Sequence, residues 1–77
     1  MSLGERVRRL RTEQALSQTE LAVKAGVTKL TVSRIERDAK FPQPKTLRNL
    51  AEALGVTPSD LVDPDEVMER RAGKEAA

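Results

Sequence analysis

At 77 residues the chain has room for one domain and no second core, and 38 % hydrophobic with 34 % charged residues suits a compact helical domain better than a disordered one. The absence of cysteine and histidine removes disulfides, thiolate chemistry, the usual metal ligand and the usual general base, so neither a metal nor another cofactor is expected. The net charge of +2 is unevenly spread: residues 1–48 hold 11 Lys/Arg against 5 Asp/Glu, and residues 49–77 hold 3 against 7. That asymmetry suits a basic face for a polyanion with an acidic end turned away, although solvated helix faces fit the charge count equally well. No apolar run approaches the roughly 20 residues of a membrane span. Met1–Arg11 also lacks the apolar centre of a signal peptide, so a cytoplasmic protein is expected.

In chain order, the elements are marked by their caps. Ser2 with Glu5 has the spacing of a capping box and opens a helix expected over 3–13, with Leu3, Val7 and Leu10 on one face. Ser17-Gln18-Thr19-Glu20 is a second box, flanked by Leu16 and Leu21 as a hydrophobic staple, and opens a helix over 18–25. Gly26 ends that helix, and Thr28 caps the next, over 29–37, within a connection short enough to force a steep crossing. Pro42 and Pro44 mark an extended loop with Phe41 as a lid, followed by a helix over 45–54 closed by Gly55. Its stripe is Leu47, Leu50, Ala51 and Leu54. Thr57 with Asp60, and Pro58 at the first helical position, start a short helix over 58–62, with Val56 and Leu61 closing the core. Asp63 with Glu66 repeats the box before a weaker sixth helix over 64–72, ahead of Gly73 and a frayed end. The expected fold is therefore all-α: a compact five-helix domain over 1–62 with a C-terminal extension over 63–77.

The segment Ser17 to Arg37 carries the functional signal. With Val32 and Ile35 turned inward, Lys29, Leu30, Ser33 and Arg34 point outward as a basic and polar row with one exposed leucine. That is the character of a helix lying in a DNA major groove. The run Leu16-Ser17-Gln18-Thr19-Glu20-Leu21-Ala22, then Ala25-Gly26-Val27-Thr28, then Val32-Ser33-Arg34-Ile35-Glu36-Arg37 resembles the Xre family, the Cro and phage-repressor type of helix-turn-helix. The continuation Pro42, Thr46-Leu47, Leu50-Ala51, Ala53 to Val56 and Asp60-Leu61 is similar to the rest of that five-helix domain, so the resemblance covers residues 3–62.

The resemblance implies sequence-specific binding to double-stranded DNA, as a homodimer on a palindromic operator. It places Gln18 on a backbone phosphate, bracing the recognition helix, and brings Thr28 near phosphate. Lys29, Leu30 and Arg34 fall on base-reading positions, with Ser33 beside them. Arg37, Lys40 and Lys45 surround the loop that follows the backbone, and Arg11 and Glu36 match a buried ion pair between the first and third helices. Three departures stand out: Lys29 and Leu30 occupy positions where glutamine or serine is common, and Asp38 and Ala15 each replace a glycine at a turn.

Other readings of single residues stay open at this point. Leu30 can be a stray surface leucine, Gln18 an ordinary first-turn residue, and Arg34 the partner of Glu36 or Asp38 in a surface ion pair. Val62, Val67 and Met68 either pack on the domain or, with Leu61, form a dimer surface. Two other uses of the fold are an antitoxin that holds a protein partner through its C-terminal segment, and a coactivator-type adaptor that reads no operator. An enzyme is not expected, since no carboxylate pair, glycine-rich phosphate loop, histidine or cysteine can supply catalysis. Single-stranded nucleic acid is disfavoured because Phe41 is the lone aromatic.

Overall fold

Each helix begins where a side-chain or backbone group can answer the free N–H groups of its first turn. The computed structural model describes residues 1–62, as α1 (Leu3–Glu13), α2 (Gln18–Ala25), α3 (Lys29–Glu36), α4 (Pro44–Leu54) and α5 (Pro58–Leu61), with no strand among the described residues. The expected helix over 64–72 lies outside them. Ser17 closes a full box: the Glu20 N–H donates to Ser17 Oγ at 3.0 Å and the Ser17 N–H to Glu20 Oε1 at 2.9 Å. Thr28 Oγ1 accepts the Thr31 N–H at 3.1 Å and starts α3. At Thr57 both the N–H and the hydroxyl donate to Asp60 Oδ2 at 2.9 Å. α4 begins one residue before the expected position because Pro44, with no N–H and a fixed φ, suits the first helical position rather than the loop.

Helices α1 to α4 all stop in one way. A residue turns left-handed after the last turn, at Ala15 (φ 56°), Gly26 (φ 69°), Asp38 (φ 58°) and Gly55 (φ 72°). The N–H after it then folds back five residues: Leu16 to the Arg11 carbonyl at 3.0 Å, Val27 to Ala22, Ala39 to Arg34 and Val56 to Ala51, each at 2.9 Å. This turn also ends α3 at Glu36 rather than at Arg37, which is its C-cap. Glycine enters the left-handed region freely, whereas Ala15 and Asp38 each bear roughly 1 kcal/mol of steric cost there.

Asp38 offsets that cost and Ala15 does not. The Asp38 carboxylate reaches the start of α1, where Oδ1 accepts the Gly4 N–H at 3.0 Å and Oδ2 the Ser2 hydroxyl at 2.7 Å. Ser2 Oγ accepts the Glu5 N–H at 3.2 Å while its hydroxyl donates to Asp38 Oδ2, in the turn after α3, and lies 3.3 Å from Glu5 Oε1; the backbone half of the box expected with Glu5 is not formed. Gly4 makes the approach possible: a Cβ there would lie 2.5 Å from the Ile35 carbonyl oxygen and 2.6 Å from that of Glu36.

The core lies where α2 packs on α3 and α4 while α1 packs on α3 and α5. Val7, Leu21, Val32, Ile35, Leu50 and Leu61 are fully buried in it, and Leu10, Phe41 and Val56 pack half-buried at its edge. One side chain of α1 and one from its C-cap tie down the later helices: Arg6 Nη1 donates to the Leu61 carbonyl at 3.1 Å and Gln14 Nε2 to the Leu54 carbonyl at 2.7 Å. Both carbonyls lie at helix ends, where the helix itself offers no donor.

Two outcomes test these ends. Ala15→Gly is expected to stabilise by about 0.5 kcal/mol, the left-handed relief net of glycine's added unfolded-state entropy. Asp38→Gly is expected to destabilise, because the same relief is outweighed by two charge-assisted bonds worth about 1.5–3 kcal/mol together. Paired thermal melts decide; equal shifts for the two variants contradict the seam. Acid sensitivity supplies the second. The Ser17 N–H holds the Glu20 carboxyl below its ordinary value of 4.5, and the Thr57 N–H does the same for Asp60. A lowered folded-state pKa stabilises above the unfolded value and is lost as pH falls through the folded one. Melting temperature should therefore decline below about pH 4.5, and less steeply in Glu20→Gln.

Candidate nucleic-acid interface

The three-residue connection Gly26-Val27-Thr28 sets α3 against α2, and the full burial of Val32 and Ile35 fixes which side of α3 faces out. Lys29, Leu30 and Arg34 are exposed on that side, Leu30 to 53 %. Ser33 departs from the expected outward row. It is half-buried and lines a cleft of about 260 Å³ with Arg8, Arg11, Gln18, Glu36 and Arg37. The cause is packing: α1 and α2 both lie against α3 and shade this flank.

One carboxylate joins the three helices. Arg11 Nε donates to Glu36 Oε2 at 2.6 Å and Arg11 Nη2 to Oε1 at 3.1 Å, a bidentate pair with side chains 13 % and 4 % exposed. The remaining guanidinium nitrogen, Nη1, donates to the Leu16 carbonyl at 2.8 Å and ties in the α1–α2 turn. Gln18 Nε2 adds a third bond to Glu36 Oε1 at 3.1 Å, so Gln18 braces α3 from the first turn of α2. The bond to Glu36 raises the Arg11 pKa above its ordinary value against the opposing effect of burial, so the cation persists at any accessible pH.

The occupied acids decide the state of Arg34. Glu36 is filled by Arg11 and Gln18, and Asp38 by Gly4 and Ser2, so neither pairs with Arg34. Among the described residues the ion pairs are Arg9–Glu13 at 3.8 Å and Arg11–Glu36, which leaves Lys29, Arg34, Arg37, Lys40 and Lys45 without a carboxylate partner. Arg37 Nε donates to the Ser33 carbonyl at 3.3 Å, and Thr28 Oγ1 lies 2.9 Å from Thr31 Oγ1. Lys40 is exposed in the α3–α4 loop, whereas Lys45 belongs to the first turn of α4 because Pro44 has already begun that helix.

Leu61 and Val62 are 0 % and 2 % exposed, so both side chains are used up in the core and neither is free to line a dimer surface. Val67 and Met68 lie outside the described residues. Sequence reasoning passed over Arg8, although its spacing of three from Arg11 puts both on one face of α1. It also passed over the Asp38–Gly4 seam, which spans 34 residues and leaves no local signal. Among the described residues no helix is long and apolar enough to cross a membrane, and no group of three acidic side chains could hold a metal ion.

The family described as helix-turn-helix domain matches residues 2–63. The immunity repressor protein of Bacillus phage phi105 is 39 % identical over 62 residues, covering 80 % of this chain and 43 % of its own length. The HTH-type transcriptional repressor RghR of Bacillus subtilis is 43 % identical over 56 residues, 71 % of this chain and 42 % of that protein. The chain thus spans less than half the length of either relative. Among solved structures, the P22 c2 repressor in complex with a synthetic operator aligns with a TM-score of 0.79 at 30 % identity, over 82 % of this chain and 96 % of that one. SinR in complex with DNA aligns with a TM-score of 0.75 at 37 % identity, over 79 % and 98 %.

Removing one member of the Arg11–Glu36 pair leaves a charge out of water, so Arg11→Met or Glu36→Gln is expected to destabilise by about 3 kcal/mol. The double variant should lose less than either single change. Denaturant unfolding of the three proteins checks this, and single variants that unfold like the parent contradict it.

Proposed function

The chain belongs to the helix-turn-helix domain family of the Xre, or Cro and phage-repressor, type, and on that premise we propose that it represses transcription from a palindromic operator as a two-fold dimer. Residues 1–62 form the DNA-binding domain in this reading and 63–77 an extension. The observation that carries it is the outward row of α3, where Lys29, Leu30 and Arg34 are exposed and Arg34 is kept clear of nearby carboxylates. Arg34 can fork onto guanine N7 and O6, and Leu30 can meet a thymine methyl group. Ser33 sits at the edge of the row, beside the phosphate contacts. Those are Gln18, Thr28, Arg37, Lys40 and Lys45, which supply affinity through counterion release.

A domain this small gains from a second copy on the same duplex, because joining two half-sites makes the second contact intramolecular. The two recognition helices would stand about 34 Å apart, one turn of DNA. With Leu61 and Val62 committed to the core, Val67 and Met68 are the remaining apolar candidates for the dimer contact. A DNA-reading role puts the protein in the cytoplasm and assigns it no catalysis. The operator complex of the P22 c2 repressor and the DNA complex of SinR, the matches described above, support the reading.

Selection from a random duplex pool, followed by binding to the selected site and to scrambled DNA across a salt series, tests it. Arg34→Ala should cost about 1–3 kcal/mol on the selected site and flatten one position per half-site. Lys40→Ala or Lys45→Ala should weaken all sequences alike and lower the salt slope by about one each. Equal loss on both DNAs for Arg34→Ala would make Arg34 a phosphate contact and pass base reading to Lys29 and Leu30.

A further inference from the structure

The cleft between α1 and α3 has a neutral floor and two charged walls. Its floor is the Arg11–Glu36–Gln18 group, in which the guanidinium and the carboxylate cancel each other at 2.6 and 3.1 Å. The field inside is therefore that of the two other guanidinium groups lining it, Arg8 from α1 and Arg37 from the end of α3. Both are exposed, and neither has a carboxylate within ion-pair distance among the described residues. The acids that could neutralise them are engaged elsewhere: Glu13 with Arg9, Glu36 with Arg11, and Asp38 with the start of α1. Arg37 is held by its Nε bond to the Ser33 carbonyl at 3.3 Å, and its two terminal nitrogens make no bond to another described residue.

Two guanidinium groups across a narrow cleft, with the amide of Gln18 and the hydroxyl of Ser33 beside them, form a surface of donors matched to an oxyanion with more than one free oxygen. The cleft also adjoins the outward row of α3, since Ser33 on its wall is the neighbour of Arg34. We propose that this cleft seats one backbone phosphate of duplex DNA between Arg8 and Arg37, which brings α1 into the interface. The inference rests on the DNA-binding reading above and adds to it a residue from outside the helix-turn-helix pair.

The test uses the full chain and its selected and scrambled duplexes between 50 and 200 mM salt, with Arg8→Ala, Arg8→Lys, Arg37→Ala, the double Arg8→Ala/Arg37→Ala, and Lys24→Ala as a control. Lys24 is exposed and lines a different groove with Val23, Asn49 and Glu52. Arg8→Ala should weaken both duplexes by the same factor, melt like the parent, and lower the salt slope by up to about 0.9, so that its loss at 50 mM exceeds that at 200 mM by up to about threefold. Arg8→Lys should keep the parent slope, and Lys24→Ala should match the parent. A shared phosphate makes the double variant lose less than the product of the single losses.

Several results overturn the proposal. Arg8→Ala binding like the parent removes the contact, and losses that multiply cleanly assign the two arginines to separate phosphates. A parent that binds no duplex defeats the DNA-binding reading, and this inference with it.

Discussion

The Glu36 carboxylate is held almost out of water, where Arg11 and Gln18 donate to both of its oxygens. Those two residues come from different helices, so a single acid ties the position of α3 to both α1 and α2. α3 needs such help. At eight residues it is too short to persist as an isolated helix, and its inner face offers just Val32 and Ile35 to the core. Whatever its outer face contacts must find Lys29 and Arg34 in fixed positions, and the fixing is done from behind by this buried network. Net stability from such a pair is modest because desolvation opposes attraction. Its geometric effect is the larger one.

A second constraint acts just beyond Glu36, at the same end of the helix. The last carbonyls of α3 lie against the start of α1, close enough that Gly4 has no room for a side chain, and Asp38 closes the gap with its carboxylate. The positive end of the α1 dipole therefore meets a negative group, and the C-terminal end of α3 is held to α1 twice, through Glu36 and through Asp38. The outward side of α3, with Lys29, Leu30 and Arg34, is left without an intramolecular task among the described residues.

Much of this was legible because it is local. Ser17, Thr28 and Thr57 announce helix starts within four residues, Gly26 and Gly55 announce ends, and apolar spacing picked out Val7, Leu21, Val32, Ile35 and Leu50 for the core. What was not legible depends on distant parts of the chain. Asp38 reads as a misplaced glycine until Gly4 is set beside it. Ser33 reads as outward until α1 and α2 shade its flank, and Leu61 and Val62, which the sequence leaves open to either core or dimer surface, are settled in the core by burial. Pro44 was a different kind of miss, since proline suits both a loop and the first turn of a helix, and the pattern alone favours neither.

The groups lining the outward row and the cleft are guanidinium, ammonium, amide, hydroxyl and one saturated carboxylate, and the whole chain contains no histidine or cysteine. Neither an imidazole nor a thiol, the side-chain groups that ordinarily respond to mild acid and to oxidants, is among them. These charges respond to ionic strength, and a chemical signal must arrive from elsewhere, as a partner or a covalent mark.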